Sequence, residues 1–98
     1  EDVMRRIEEI EVERRKQKRN ELRERLLYAY RYYTSWEVNP KQAWSEMEAQ
    51  AFWDMFGDYE KNGGNGHMHT VVQPAMRALK VVPMHEVEQV ADLMQSRR

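Results

Sequence analysis

The 98-residue sequence contains no cysteine, which excludes a disulfide-stapled scaffold and a thiolate zinc site and fits a reducing compartment. No apolar run approaches the roughly 18 residues of a membrane span, and there is no signal-peptide core, so no membrane association is expected and the cytoplasm is the expected location. No segment alternates apolar and polar residues for long enough to read as a strand. Catalytic signatures are also missing: there is no H-E-x-x-H, no G-x-S-x-G and no cysteine nucleophile. His67 and His69 form an H-x-H pair, but on a helix two such side chains point about 200° apart, and His85 is distant in sequence. Asp54, Asp58 and Glu60 read as solvated carboxylates. The expectation is therefore a non-enzyme with no catalytic residues, no metal and no cofactor.

Charge is abundant and balanced. Sixteen basic residues face 17 acidic ones, for a net charge of -1, so the overall field argues neither for nor against nucleic acid. The length allows one domain with a modest core. A start at Glu1 rather than at methionine suggests a trimmed form of a slightly longer protein.

From Glu1 to about Tyr33 there is neither glycine nor proline, and good helix formers dominate, which predicts one long helix. At 1.5 Å per residue such a helix is about 50 Å long, more than the rest of the chain can cover, so part of it must project or pack on another subunit. Val3, Ile7 and Ile10 have coiled-coil spacing, and Leu22, Leu26, Ala29 or Tyr30, and Tyr33 form a second stripe. Between them, Arg14, Arg15, Lys16, Lys18 and Arg19 place five cations in six positions. That run could follow a phosphate backbone, which gives a nucleic-acid-binding alternative. Acidic flanks such as Glu11, four residues before Arg15, and Glu21, three after Lys18, are spaced for pairing with the cations and favour a solvated helix instead. Tyr28, Tyr30, Tyr32, Tyr33 and Trp36 cannot all share one helical face, so they divide between core and subunit interface.

Thr34 to Trp44 breaks the pattern. Ser45 and Glu48 form a capping box that starts a core helix running to Asn62, with Asn39-Pro40 as a competing start. Trp44, Met47, Ala51, Phe52, Met55, Phe56 and Tyr59 give that helix its apolar stripe. Trp53 lies about 180° from Trp44 and marks a second contact surface. After the glycines, Met68, Val71, Val72, Ala75, Met76 and Leu79 predict a further helix, kinked near Thr70 or starting late because of Pro74. Val81-Val82-Pro83 reads as an extended link. A last helix runs from about Met84 to Gln95 on Val87, Val90 or Ala91, and Met94, with Arg97 and Arg98 favourable at its end.

Three of the four glycines fall within Asn62-Gly63-Gly64-Asn65-Gly66, a stretch that needs positive φ and stops a helix. Two readings remain open. It is a tight corner, or it opens an anion site at the next helix N-terminus, using Gly63, Gly64, Asn65, Gly66, His67, His69 and Thr70 with Arg77 as counter-charge.

The segments Ala51-Phe52-Trp53-Asp54-Met55-Phe56, Asp58-Tyr59-Glu60, Gly63-Gly64-Asn65-Gly66, His69-Thr70-Val71-Val72 and Pro74-Ala75-Met76 with Leu79 resemble small helical proteins encoded by phages and prophages of Gram-positive bacteria. The resemblance covers about a third of the chain and omits the long first helix and the last one. It implies a protein in the cytoplasm of a host cell that acts by stoichiometric binding, as an inhibitor or sponge against host defence, on a host protein or a small phosphorylated ligand.

The reading as a whole is an all-α protein. Residues 1–36 form a charged helix that serves as an oligomerisation arm, and residues 37–98 form a small domain of three helices with the glycine-rich turn between two of them. A homo-oligomer is expected through Ile7, Ile10, Tyr30, Tyr33, Trp36 and Trp53, because a body of about 60 residues is marginal alone.

Overall fold

The computed structural model describes residues 2–98, and Glu1 lies outside the described residues. Helix α1 spans Asp2–Thr34, strand β1 Ala43–Ser45 and helix α2 Glu46–Lys61. A π-helical turn, Met68–Val72, runs directly into α3, Gln73–Arg77, followed by β2, Lys80–Val82, and α4, Val87–Ser96. Over the described residues the chain is thus mostly helical with a long N-terminal helix, and the departure from an all-α fold there is one small parallel sheet.

That sheet pairs Ala43 with Lys80, Trp44 with Val81 and Ser45 with Val82. Three-residue strands are too short to show a period of two, and all of β1 is buried, so its residues alternate in nothing visible. Val81-Val82, read from sequence as a plain link, is the second strand. Placing Trp44 in β1 removes it from the helical stripe to which it had been assigned. Its angle to Trp53 is consequently not set by helical rotation, and the two rings pack 6.2 Å apart. Trp53 therefore joins the edge of the core rather than marking a separate surface.

Helix α2 begins where the capping box places it. Ser45 Oγ accepts the Glu48 N–H, and Glu48 Oε1 accepts the Ser45 N–H. The competing start at Asn39-Pro40 is not used. Asn39 is fully buried, and its amide donates to the carbonyls of Tyr33 and Ala43, tying the end of α1 to β1. The buried stripe of α2 is Ala49, Phe52, Phe56 and Tyr59. Met47 and Ala51, expected inside, are exposed, since the neighbour they would meet on that side is a groove rather than a packed element.

The chain passes Pro74 without a break. Gln73 donates to the carbonyl of Met68, an i to i−5 bond, and the switch from π to α geometry puts Pro74 in the first turn of α3, where a missing N–H costs little. Val71, assigned to the apolar face, is exposed, whereas Met68, Val72 and Met76 are buried. Helix α4 starts at Val87 rather than Met84, and its buried residue is Leu93, packed with Ala43 and Val82 in a small satellite cluster. Val87 and Met94, predicted to face inward, are exposed.

Helix α1 meets the body only through its second half. Residues 2–18 are exposed, Arg19 and Asn20 are half-buried, and Leu22 and Leu26 enter the core. The molecule accordingly measures 61 × 25 × 20 Å.

Candidate interaction surface

Helix α1 leaves the body at a defined point. Asn62 ends α2, and the Arg19 guanidinium donates to the Asn62 carbonyl at 3.2 Å, placing a cation at the negative end of the α2 dipole. Arg19 is thereby separated from the other cations of its run. Arg14, Arg15 and Lys18 line a shallow depression with Glu11 and Asn62, and Lys16 is exposed. The expected i,i+4 pairs around this run do not form. Among the described residues the ion pair on α1 is Glu21 with Arg25, at 3.2 Å and on open surface. Long side chains in water gain too little from such contacts to hold one geometry.

Beyond the basic run, Val3, Met4, Ile7, Ile10 and Val12 are all exposed, Ile7 at 47% and Ile10 at 57%. Of the other residues expected at an interface, Trp36 is 73% exposed, Tyr30 is half-buried, and Tyr33 and Trp53 pack on the core. The Arg77 guanidinium lies 4.7 Å from the Trp53 ring centre and covers it.

An apolar groove runs between the second half of α1 and the first half of α2. It consists of two adjoining depressions of about 310 and 260 Å³. Tyr28 and Tyr32 wall it on one side, Met47, Ala51 and Met55 on the other. Tyr28 is 71% exposed and Met47 64%.

At its rim the groove is fixed by a charged network that no sequence pattern announced. Arg97 Nη2 donates to Glu48 Oε1 at 2.9 Å and to the Ala43 carbonyl at 3.0 Å, its Nη1 donates to Glu48 Oε2, and the Tyr33 hydroxyl donates to the same oxygen at 3.0 Å. The Arg97 side chain is 7% exposed. Burial pushes the Glu48 carboxyl up, but the hydrogen bonds and charge of Arg97 and the bonds from Ser45 and Tyr33 outweigh it and hold the group below its ordinary 4.5. Burial and the neighbouring carboxylate push the Tyr33 phenol up to about 12. Burial pulls Arg97 down, yet Glu48 raises it by more, so both groups are charged at neutral pH. The capping box had identified Glu48 only as a helix start. Its partner lies 49 residues away, beyond any local signal.

The glycine stretch is built around Tyr59. Gly63 and Gly66 have φ of +86° and +74°. Gly64 does not, but a Cβ there would lie 2.3 Å from the Tyr59 ring, so three glycines serve two different needs. Asn65 supplies a carbonyl to the Tyr59 hydroxyl at 3.4 Å. Three of the polar side chains assigned to an anion, His69, Thr70 and Arg77, are engaged otherwise. His69 Nε2 lies 2.7 Å from Glu60 Oε2, and the Thr70 hydroxyl donates back to the Gly66 and His67 carbonyls at 3.5 Å. His67 is exposed, and Arg77 covers Trp53. The structure brings His69 and Thr70 to one loop but places a carboxylate, not an open donor set, beside them.

Among the described residues no group of three or more His, Asp or Glu side chains is arranged to hold a metal ion, and no helix is long and apolar enough to cross a membrane. Comparison with known protein families, with curated proteins and with solved structures gives no match.

Proposed function

We propose that this chain is a non-enzymatic binding protein that acts stoichiometrically, with the projecting half of α1 as its working surface. One observation carries the reading: residues 2–18 have no buried side chain, yet five of them are large and apolar. Withdrawing an Ile, Val or Met side chain from water is worth about 1.5–3 kcal/mol. Three or four of them therefore approach the roughly 8 kcal/mol of a micromolar complex, before the cost of association is subtracted. In the setting implied by the resemblance to small phage proteins, the ultimate target is a host protein, held as an inhibitor holds its target. Changing Ile7 and Ile10 together to Glu tests the reading. The variant is expected to keep the body's melting temperature and lose partner capture, as identified by mass spectrometry. Unchanged capture by the variant would remove the arm from the mechanism.

A second reading rests on Arg14, Arg15, Lys16 and Lys18, which have no carboxylate within 4 Å among the described residues. Such a set can neutralise phosphates and release counterions. On this reading DNA or RNA binding falls steeply with added salt and disappears when these four residues are changed to Gln.

A small phosphorylated ligand at residues 63–70 is the third possibility carried from the sequence. It requires the anion to displace Glu60 from His69. Binding of inorganic phosphate that strengthens in Glu60→Gln and vanishes in His69→Ala would support it.

A further inference from the structure

By helical rotation the arm and the groove fall on the same side of one continuous helix, at opposite ends of it. Ile7 and Tyr32 are 25 residues apart, as are Val3 and Tyr28, and 25 residues is close to seven turns at 3.6 per turn. At about 100° per residue each pair is aligned to within about 20°. The arm cannot fold back onto its own groove, because α1 is continuous from Asp2 to Thr34. We infer that the occupant of the groove is the arm of a second copy of this chain, in an antiparallel dimer whose two-fold axis crosses α1 near Lys18. This rests on the reading of the arm as a binding element and names its first partner.

The charges on that face support the inference. Moving outward from Lys18 in steps of three and four, the face presents Arg14 and then Glu11 on one side, and Glu21 and then Arg25 on the other. Reversing the helix about Lys18 sets Arg14 against the partner's Glu21 and Glu11 against the partner's Arg25, and symmetry repeats both pairs. One step further out, Ile7 meets the partner's Tyr28, and Met4 meets the partner's Tyr32. The three-and-four spacing is that of a two-helix seam, here with apolar and aromatic residues at its two ends and opposite charges through its middle. A parallel in-register pair would instead oppose each charge to itself and leave both grooves unfilled. The existing Glu21–Arg25 contact, with side chains 54% and 62% exposed, is weak enough to open into a network across the interface. Lys18, facing its own copy, is the one unfavourable position, and its long stem lets the ammonium swing to solvent. Two identical arms filling two identical grooves make a closed, isologous interface.

The absence of cysteine from the sequence makes the test direct. The full chain is expected to scatter light at twice 11.9 kDa. In an equal mixture of Ile7→Cys and Tyr28→Cys proteins, a short bifunctional maleimide should join the chains. Ile7→Cys alone should not self-join, because the two copies of residue 7 lie about 30 Å apart along the antiparallel pair. Both positions are exposed, so circular dichroism should show unchanged folding. Arg14→Glu is expected to weaken the dimer about tenfold or more, and adding Glu21→Arg to restore it, as charge reversal across a pair does. A monomer of 11.9 kDa at micromolar concentration, or self-joining of Ile7→Cys, overturns the inference. If either occurs while the Ile7→Glu, Ile10→Glu variant still loses partner capture, the arm remains a binding element and only its pairing with itself is wrong.

Discussion

Between Leu22 and Tyr33, α1 is helical because one face is packed: Leu22 and Leu26 sit in the core, and Tyr33 meets Trp44 edge to face with ring centres 5.2 Å apart. Between Asp2 and Lys18 it is helical by composition and continuity alone, with no side chain buried. The same secondary structure thus has two physical origins within one element. Stability should respond to substitution in the second half and be almost indifferent in the first, while association should do the reverse.

The largest effect is expected at Leu26, which is fully buried. Leu26→Ala should lower unfolding stability by about 3 kcal/mol in urea titration, through lost burial and the cavity left behind. Ile10→Ala in the arm should change it by less than about 0.5 kcal/mol when measured below the dissociation concentration. A comparable loss at Ile10 in the monomer would mean that the arm is packed after all.

Removing Arg97 strands the Glu48 carboxylate among partly buried groups. Arg97→Ala is expected to cost about 2–3 kcal/mol, below the roughly 3–5 kcal/mol of a fully buried pair because Glu48 keeps 22% of its surface. The same network sets the pH profile. Glu48 is held below its ordinary value, so its contribution is complete above about 4.5 and is lost as pH falls through the lower folded value. Tyr33 is raised, so its contribution is complete below 10.0 and is lost as pH rises toward about 12. Thermal melts across pH should show both edges in the native chain, and Arg97→Met should blunt the acid one.

The glycines provide the finer test. Gly64→Ala should destabilise by about 1–3 kcal/mol, because the methyl meets the Tyr59 ring at 2.3 Å. Gly57, inside α2, has nothing within 4 Å of an added Cβ. Gly57→Ala should therefore raise stability by roughly 0.5–1 kcal/mol through helix propensity. A loss at Gly57 would show that this part of α2 needs glycine for a partner's approach.

What could be read from sequence was what local chemistry decides. The capping box at Ser45 and Glu48, the long uninterrupted α1 and the inward Leu22 and Leu26 all follow from neighbours within one or two turns. What could not be read depends on distant residues. Trp44 leaves the α2 stripe only because residues 80–82 arrive to pair with it, and the Arg97 guanidinium is drawn in from solvent only because Glu48 is there to meet it. Among the candidate site residues, exposure of Ile7 and Ile10 follows from a helix too long for its body. The engagement of Arg19, His69 and Arg77 by Asn62, Glu60 and Trp53 required the fold itself.

The junction at Arg19 also governs how α1 forms. Starting a helix is the costly step, with a nucleation constant near 10⁻³, whereas each added residue is close to neutral or mildly favourable. In this chain the starting turn is supplied by the packed segment around Leu22 and Leu26, and the arm grows outward from that seed toward Asp2. In the dissociated chain its backbone hydrogen bonds should consequently open from the free end, giving amide exchange that slows progressively from Val3 to Leu22. Anything that grips the arm near Ile7 would flatten that gradient, so the slope of protection along a single helix reports occupancy of the arm without any label.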